Sequence, residues 1–300
     1  MTSEAGVNLR EQGVYEIIAP PQQTMAAVFA SPHSGSDYRA EFLRDSKLDL
    51  LTLRRSEDCF MDQIFGGTPT FGAPLLRALF PRAFVDPNRE PFELDPEMFE
   101  DSLPDYANCH SMRVAGGIGT IARVVASGEE IYSRKLRFAD IAARINVYYR
   151  PYHRALQRLI ESTRASFGHC LLVDCHSMPS IGGPMDRDPG RSRVDVVLGD
   201  GFGTSCAPAI TDRIDALLSD LGYKVARNAP YSGGYTTVHY GRPEANVHAV
   251  QIEINRALYM DERRFVPVAG MAQLIAHVNT MIATLKAEWA ALVPAPGVAL

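Results

Sequence analysis

The chain has 300 residues, 46% hydrophobic and 22% charged, enough apolar material for a substantial core in one large domain, read here as residues 1–300. A net charge of −5 with no Lys/Arg block argues against a nucleic-acid surface, no run reaches the 18 apolar residues of a membrane span, and the first residues lack a basic-then-apolar signal pattern. The five cysteines, Cys59, Cys109, Cys170, Cys175 and Cys206, include no CxxC pair and fit reduced thiols in a cytoplasmic protein, not a disulfide framework or a zinc knuckle.

In chain order, Met25–Ala30 is the first predicted strand, and it runs into SPHSG, which puts His33 just past its carboxyl end. The acidic pair Glu57 and Asp58 follows in SEDCFMDQIF. A short strand over Ala83–Asp86 leads into VDPNR, where Asn88 offers amide donors and Arg89 a guanidinium fork suited to a carboxylate. A turn stabilised by Pro and Asn is the other reading of that stretch. Residues 66–119 are rich in Gly and Pro and are expected to wrap over a site rim. Asp140–Phe167 spaces Ile141, Ile145, Tyr148, Tyr152, Leu156, Leu159 and Thr163 by three and four, which predicts a long helix with Pro151 placed to kink it.

Cys170–Asp174 is the next strand, in the run LLVDCHS that ends at His176. Strands over Asp195–Gly199 and Tyr223–Arg227 flank a helix over Ala207–Leu221 that stops at Gly222. PYSGGYTTVHYGRP, from Pro230 to Pro243, is polar, aromatic and Gly-rich, and reads as a pocket wall carrying Tyr235, Thr236, His239 and Arg242. His239 could donate a proton or a hydrogen bond there. A strand over Val247–Ile254 carries Glu253, and a last helix spans about 269–291. This alternation predicts an α/β fold with a mixed, mainly parallel sheet covered by helices.

Two histidines at strand ends suggest a metal site, because catalytic zinc takes three ligands from His and Asp/Glu and keeps a position for water. His33 and His176 supply two. Asp58 is the first choice for the third and Glu57 the reserve, since adjacent residues point in different directions. Glu253, between Ile252 and Ile254, is costly in a core strand unless it is paired or functional, which makes it the candidate general base. A solvent-facing Glu on an edge strand, or an ion pair with Arg256, is the competing reading. Cys175 as a nucleophile is a further alternative, disfavoured because strand neighbours such as Cys175 and His176 face opposite sides.

Together SPHSG, SEDCFMDQIF, VDPNREPFE, GGIGTIAR, YYRPYHRAL, LLVDCHSMPS, PYSGGYTTVHYGRP and VHAVQIEINRALYMDE, in this order, resemble the N-formylglutamate amidohydrolase family over roughly residues 25–290. The resemblance implies a single-domain three-layer α/β/α sandwich of the phosphorylase/hydrolase-like type, shared with zinc carboxypeptidases and aspartoacylases. It implies cleavage of N-formyl-L-glutamate to formate and L-glutamate in histidine degradation, with a small anionic N-acyl amino acid as the partner molecule. It further implies Zn2+ on His33, His176 and one of Glu57 and Asp58, with Glu253 as base and Glu253 or His239 protonating the departing amine. Asn88 and Arg89 would grip one substrate carboxylate, and Arg134, Arg150 or Arg242 the second. The related carboxypeptidases carry an acidic ligand three residues after the first histidine, where this chain has Ser36. A deacylase of another N-acyl amino acid, a small metallocarboxypeptidase and a non-catalytic ligand-binding relative are the alternatives.

Overall fold

The structure, a computed structural model, describes residues 7–11, 13–184 and 186–292. Its main sheet is built from Val7–Glu11 (β1), Tyr15–Ala19 (β2), Ala27–Ser31 (β3), Leu75–Ala78 (β4), Cys170–Met178 (β5), Val196–Gly199 (β6), Val225–Arg227 (β7) and Val247–Asn255 (β8). Their spatial order is β1-β2-β4-β3-β5-β8-β6-β7. The middle strands β4, β3, β5 and β8 are parallel, β1 and β2 join antiparallel on one side, and β6 runs antiparallel to β8.

The central strands β3, β5 and β8 are buried along their whole length, which is why they read as apolar runs without a polar face. The two-residue period divides their side chains between two cores. Leu171, Val173 and Cys175 join Val250, Ile252 and Ile254 against the helices Pro208–Asp220 and Gly270–Leu292. Cys170, Leu172, Val247 and Ala249 face the other way, onto Tyr148, Tyr152, Leu156 and Ile160 of the long helix before β5. The result is the expected three-layer α/β/α sandwich. No helix among the described residues is long and apolar enough to cross a membrane.

Several elements differ from the sequence reading: Val7–Glu11 is a further strand, the Cys170 strand runs on to Met178, and three other differences have a clear physical cause. Ala83–Asp86 forms a turn, with Phe84 N and Val85 N both donating to Pro81 O, and the strand in this region is the earlier Leu75–Ala78. Its apolar residues Ala83 and Val85 are buried by packing and make no ladder, so their hydrophobicity gave a strand-like signal without one. Tyr15–Ala19 pairs into the sheet although Ile17 and Ile18 are adjacent, which breaks the alternation that would have marked it. The long helix is Phe138–Arg144 and Arg150–Phe167 joined by a π turn over Ile145–Tyr149, with Arg150 N donating to Ile145 O. Pro151 has no amide to give Val147 O, and the wider turn just before it absorbs that break.

Because β3, β5 and β8 are parallel neighbours, their carboxyl ends lie along one edge. His176 is in register with Glu253, and His33 lies two residues beyond the end of β3.

Candidate metal centre and active site

On the face that carries Leu172 and Ala249, the same parity continues into Asp174 and His176 on β5, and Gln251 and Glu253 on β8. An apolar row at the strand starts thus becomes a polar row at the carboxyl ends, with all four residues at 7% exposure or less. Such groups are stable only when paired with each other or with a ligand.

The pairing is directional. Asp58 N donates to His33 O at 3.0 Å, tying two of the candidate ligands through the backbone. Asp58 Oδ2 lies 3.0 Å from His176 Nδ1 and 3.3 Å from His33 Nδ1. Its other oxygen, Oδ1, accepts from Ser177 Oγ and Arg256 Nη2, each at 3.1 Å. The far ring nitrogens meet separate carboxylates, His33 Nε2 to Asp86 Oδ1 at 2.7 Å and His176 Nε2 to Asp174 Oδ1 at 3.0 Å. A proton on His33 Nε2 satisfies Asp86 and leaves the His33 Nδ1 lone pair directed at Asp58 Oδ2, while His176 is hydrogen-bonded to Asp58 Oδ2 through its Nδ1. His33 Nδ1 is buried there without a hydrogen-bond partner among the described residues. The ligand atoms of His33, Asp58 and His176 all fall within 4.8 Å of one another. Two imidazoles and one carboxylate, each braced from behind, match the donor set of a catalytic zinc site.

Electrostatics follow this geometry. Burial works against charge on Asp58, yet the adjoining His176 and His33 imidazoles hold its carboxyl well below the usual range. Burial likewise opposes a charged His176, but Asp174 and Asp58 raise it well above an ordinary histidine. Glu253 is pushed up to about 7, chiefly by burial, with the charge of His176 opposing the rise. Its Oε1 accepts from Gln251 Nε2 at 2.7 Å, and Gln251 Oε1 in turn accepts from Gly234 N at 2.7 Å. A carboxylate poised near neutrality beside a candidate metal site has the properties of a general base.

Other expected residues occupy different places. Glu57 turns away from the histidines and bonds Arg54 Nε at 3.2 Å and Cys59 Sγ at 2.9 Å, so the reserve ligand is excluded by its own ion pair. Asn88 does not present its amide to a ligand. Its Oδ1 accepts from Thr236 N at 2.8 Å, and its Nδ2 lies 2.9 Å from His176 Nε2 and 3.3 Å from Asp174 Oδ2, which makes it a brace behind His176. Arg89 keeps one nitrogen open: Nε donates to Ile118 O and lies 3.8 Å from Asp86 Oδ2, Nη1 donates to Asn88 O, and Nη2 has no hydrogen bond among the described residues. Arg134 is exposed on Asp45, Arg150 is exposed, and Arg242 is exposed with Nη1 on Val238 O and Gly241 O, so none of the three joins the cluster. His239 is exposed and stacked on half-buried Tyr235, with ring centroids 4.7 Å apart, and has no bond to the metal-facing groups. The Thr236 hydroxyl is buried without a hydrogen-bond partner among the described residues.

Cys175 lies on the opposite face of β5, inside the core with Val173 and Ile252, and burial pushes its thiol well above the ordinary range. A thiolate nucleophile is excluded there. Arg256 pairs with Asp58 and not with Glu253, and β8 is a central strand, so neither competing reading of Glu253 describes it.

Sequence reasoning missed Asp86, Asp174, Gln251, Ser177 and Arg82, and considered Arg256 only as a partner for Glu253. Asp174 and Gln251 carried a usable signal, since each lies two residues before a candidate on the same strand face. Arg82, whose Nη2 donates to Asp86 Oδ2 at 2.7 Å and whose charge reaches Asp58 and Glu253, carried none.

The model of the N-formylglutamate amidohydrolase family matches residues 25–260. The chain belongs to the N-formylglutamate amidohydrolase family. The N-formylglutamate deformylase of Pseudomonas aeruginosa is 31% identical over 235 residues, 76% of this chain and 79% of that protein. That of Pseudomonas putida is 26% identical over 250 residues, 82% of this chain and 86% of its own. The crystal structure of N-formylglutamate amidohydrolase from Ralstonia eutropha JMP134 is 34% identical and superposes with a TM-score of 0.86, over 94% of this chain and all of that one. Membership in the N-formylglutamate amidohydrolase family makes this chain a hydrolase acting on amide bonds.

Proposed function

We propose that the protein cleaves the formamide bond of N-formyl-L-glutamate to formate and L-glutamate, a cytoplasmic reaction of histidine degradation, with zinc held by His33, Asp58 and His176. The observation that carries this reading is the convergence of two Nδ1 atoms on Asp58 Oδ2, with Glu253 in register beside His176, in a chain of this family. A divalent cation held there supplies Lewis-acid polarisation of the formyl carbonyl and a water whose pKa falls to near 7.

The remaining steps belong to the chain's own groups. Glu253, held through Oε1 by Gln251, takes the proton of the attacking water on its other oxygen. The water oxygen ends in formate, the carbon–nitrogen bond breaks, and the proton passes from Glu253 to the departing nitrogen. Glu253 takes this second role because it faces the cluster and His239 does not. Arg89 Nη2 meets a substrate carboxylate, with Arg82 adding positive charge nearby.

The test is formate release from N-formyl-L-glutamate, beside N-acetyl-L-glutamate and N-formyl-L-leucine. Release from the first, far above either other substrate, is the expected result. Zinc-loaded protein that releases no formate, but hydrolyses another N-acyl amino acid, would move the substrate assignment to that compound.

A further inference from the structure

The turn Asp86–Arg89 carries the brace for His33, the brace for His176 and the Arg89 guanidinium, yet it has no ladder or helix of its own. Arg89 is also held against its electrostatic preference. Its side chain is 12% exposed, burial disfavours its charge, and Arg82 and Arg113 repel it, with Asp86 opposing them. Its guanidinium is held by Ile118 O and by Asn88 O of the turn itself, so where it sits depends on where the turn's backbone is fixed.

Two donors from one helix face supply the fixing. Tyr149 Oη donates to Arg89 O at 2.8 Å, and His153 Nε2 lies 2.8 Å from Pro87 O. A carbonyl only accepts, so Nε2 bears the proton and His153 Nδ1 accepts from the Tyr240 hydroxyl at 2.9 Å. Burial drives His153 down to about 4, which keeps this neutral form in place. Tyr149 and His153 are four residues apart, so they share one helix face, and Tyr149 ends the π turn that precedes Pro151. Pro87 O and Arg89 O belong to the peptide planes before Asn88 and after Arg89. Locking both planes fixes the root of the Arg89 side chain.

We infer that Tyr149 and His153 are positioning residues that clamp the carbonyls of Pro87 and Arg89 and so hold Arg89 in place for the substrate carboxylate. The kinetic part of this inference rests on the reading of Arg89 given under the proposed function; the clamp itself does not.

The variants are Tyr149→Phe, His153→Leu and His153→Gln, the last keeping an amide donor of similar reach. Tyr149→Phe and His153→Leu are expected to raise KM for N-formyl-L-glutamate by about tenfold, the worth of one hydrogen bond. The expected kcat stays within about twofold and zinc content is unchanged, with His153→Gln recovering most of the loss. Hydrolysis of N-butylformamide, which has no carboxylate for Arg89, is expected to be unaffected. Amide hydrogen exchange over residues 86–90 is the readout that needs no substrate: it accelerates in Tyr149→Phe and His153→Leu and not in His153→Gln. Unchanged exchange, or His153→Gln behaving like His153→Leu, overturns the clamp. Equal losses on both substrates overturn its link to the carboxylate. Faster exchange together with a wild-type protein that releases no formate would retain the clamp and remove the substrate reading alone.

Discussion

Replacing Glu253 by glutamine removes one proton acceptor from the centre of the sheet while keeping its shape, and it should move stability and activity in opposite directions. The Glu253 carboxyl is 7% exposed and titrates at about 7 in place of 4.5, chiefly because burial disfavours its charge. For a carboxyl raised in the folded state, stability is fully present below the unfolded value and is lost as pH rises through the folded value. At about 1.4 kcal/mol per pH unit, the cost at pH 8 in metal-free protein is about 3 kcal/mol. Glu253→Gln should therefore stabilise the metal-free protein by about 3 kcal/mol at pH 8 and by almost nothing at pH 4.5, read from urea denaturation of chelated samples. Turnover of the zinc-loaded variant should fall by about 10²- to 10⁴-fold, the usual contribution of a positioned base, with bound zinc unchanged. A stability change equal at the two pH values would contradict the burial argument, and near-normal turnover would remove Glu253 from the base role.

The remaining predictions test the surroundings of the centre. Asp86→Ala deprives His33 Nε2 of its 2.7 Å partner, so zinc affinity measured against a competing chelator should drop by about 10- to 100-fold, and an unchanged affinity would contradict that bracing role. Cys175→Ser should keep turnover within about twofold, at a stability cost of about 1–3 kcal/mol for a hydroxyl in the apolar core, whereas loss of turnover in a folded, zinc-loaded sample would reopen thiol chemistry. Arg134→Ala removes an exposed pair with Asp45 and should shift stability by less than about 0.5 kcal/mol with KM unchanged; a large rise in KM would place Arg134 at the substrate.

The central strands and both histidines were legible because buried parallel strands leave uninterrupted apolar runs, and such runs end where the ligand edge begins. Glu253 was legible as a charge where packing alone would place an aliphatic residue. Asp58 was legible only as one of a pair, because the choice rests on Arg54 capturing Glu57 and on Arg256 and Ser177 capturing Asp58 Oδ1. Arg256 is 198 residues from Asp58 in the chain, and no local pattern encodes a contact that long. Asn88 was read correctly as a polar turn residue and differently as to what it serves, because its partners Thr236 and His176 arrive from β5 and from the segment before β8. The strand at Leu75–Ala78 escaped notice because the stronger apolar signal at Ala83–Asp86 belongs to a buried turn between Pro81 and Pro87.

One measurement tests the zinc centre most directly: zinc content and formate release of protein purified without chelator, after exhaustive chelation, and after zinc is restored, with His176→Ala alongside. The prediction is about one zinc per chain, as for a single catalytic centre, with activity that disappears on chelation and returns with the metal, and a His176→Ala variant that binds no zinc and releases no formate. Full activity in protein shown to be metal-free would contradict it.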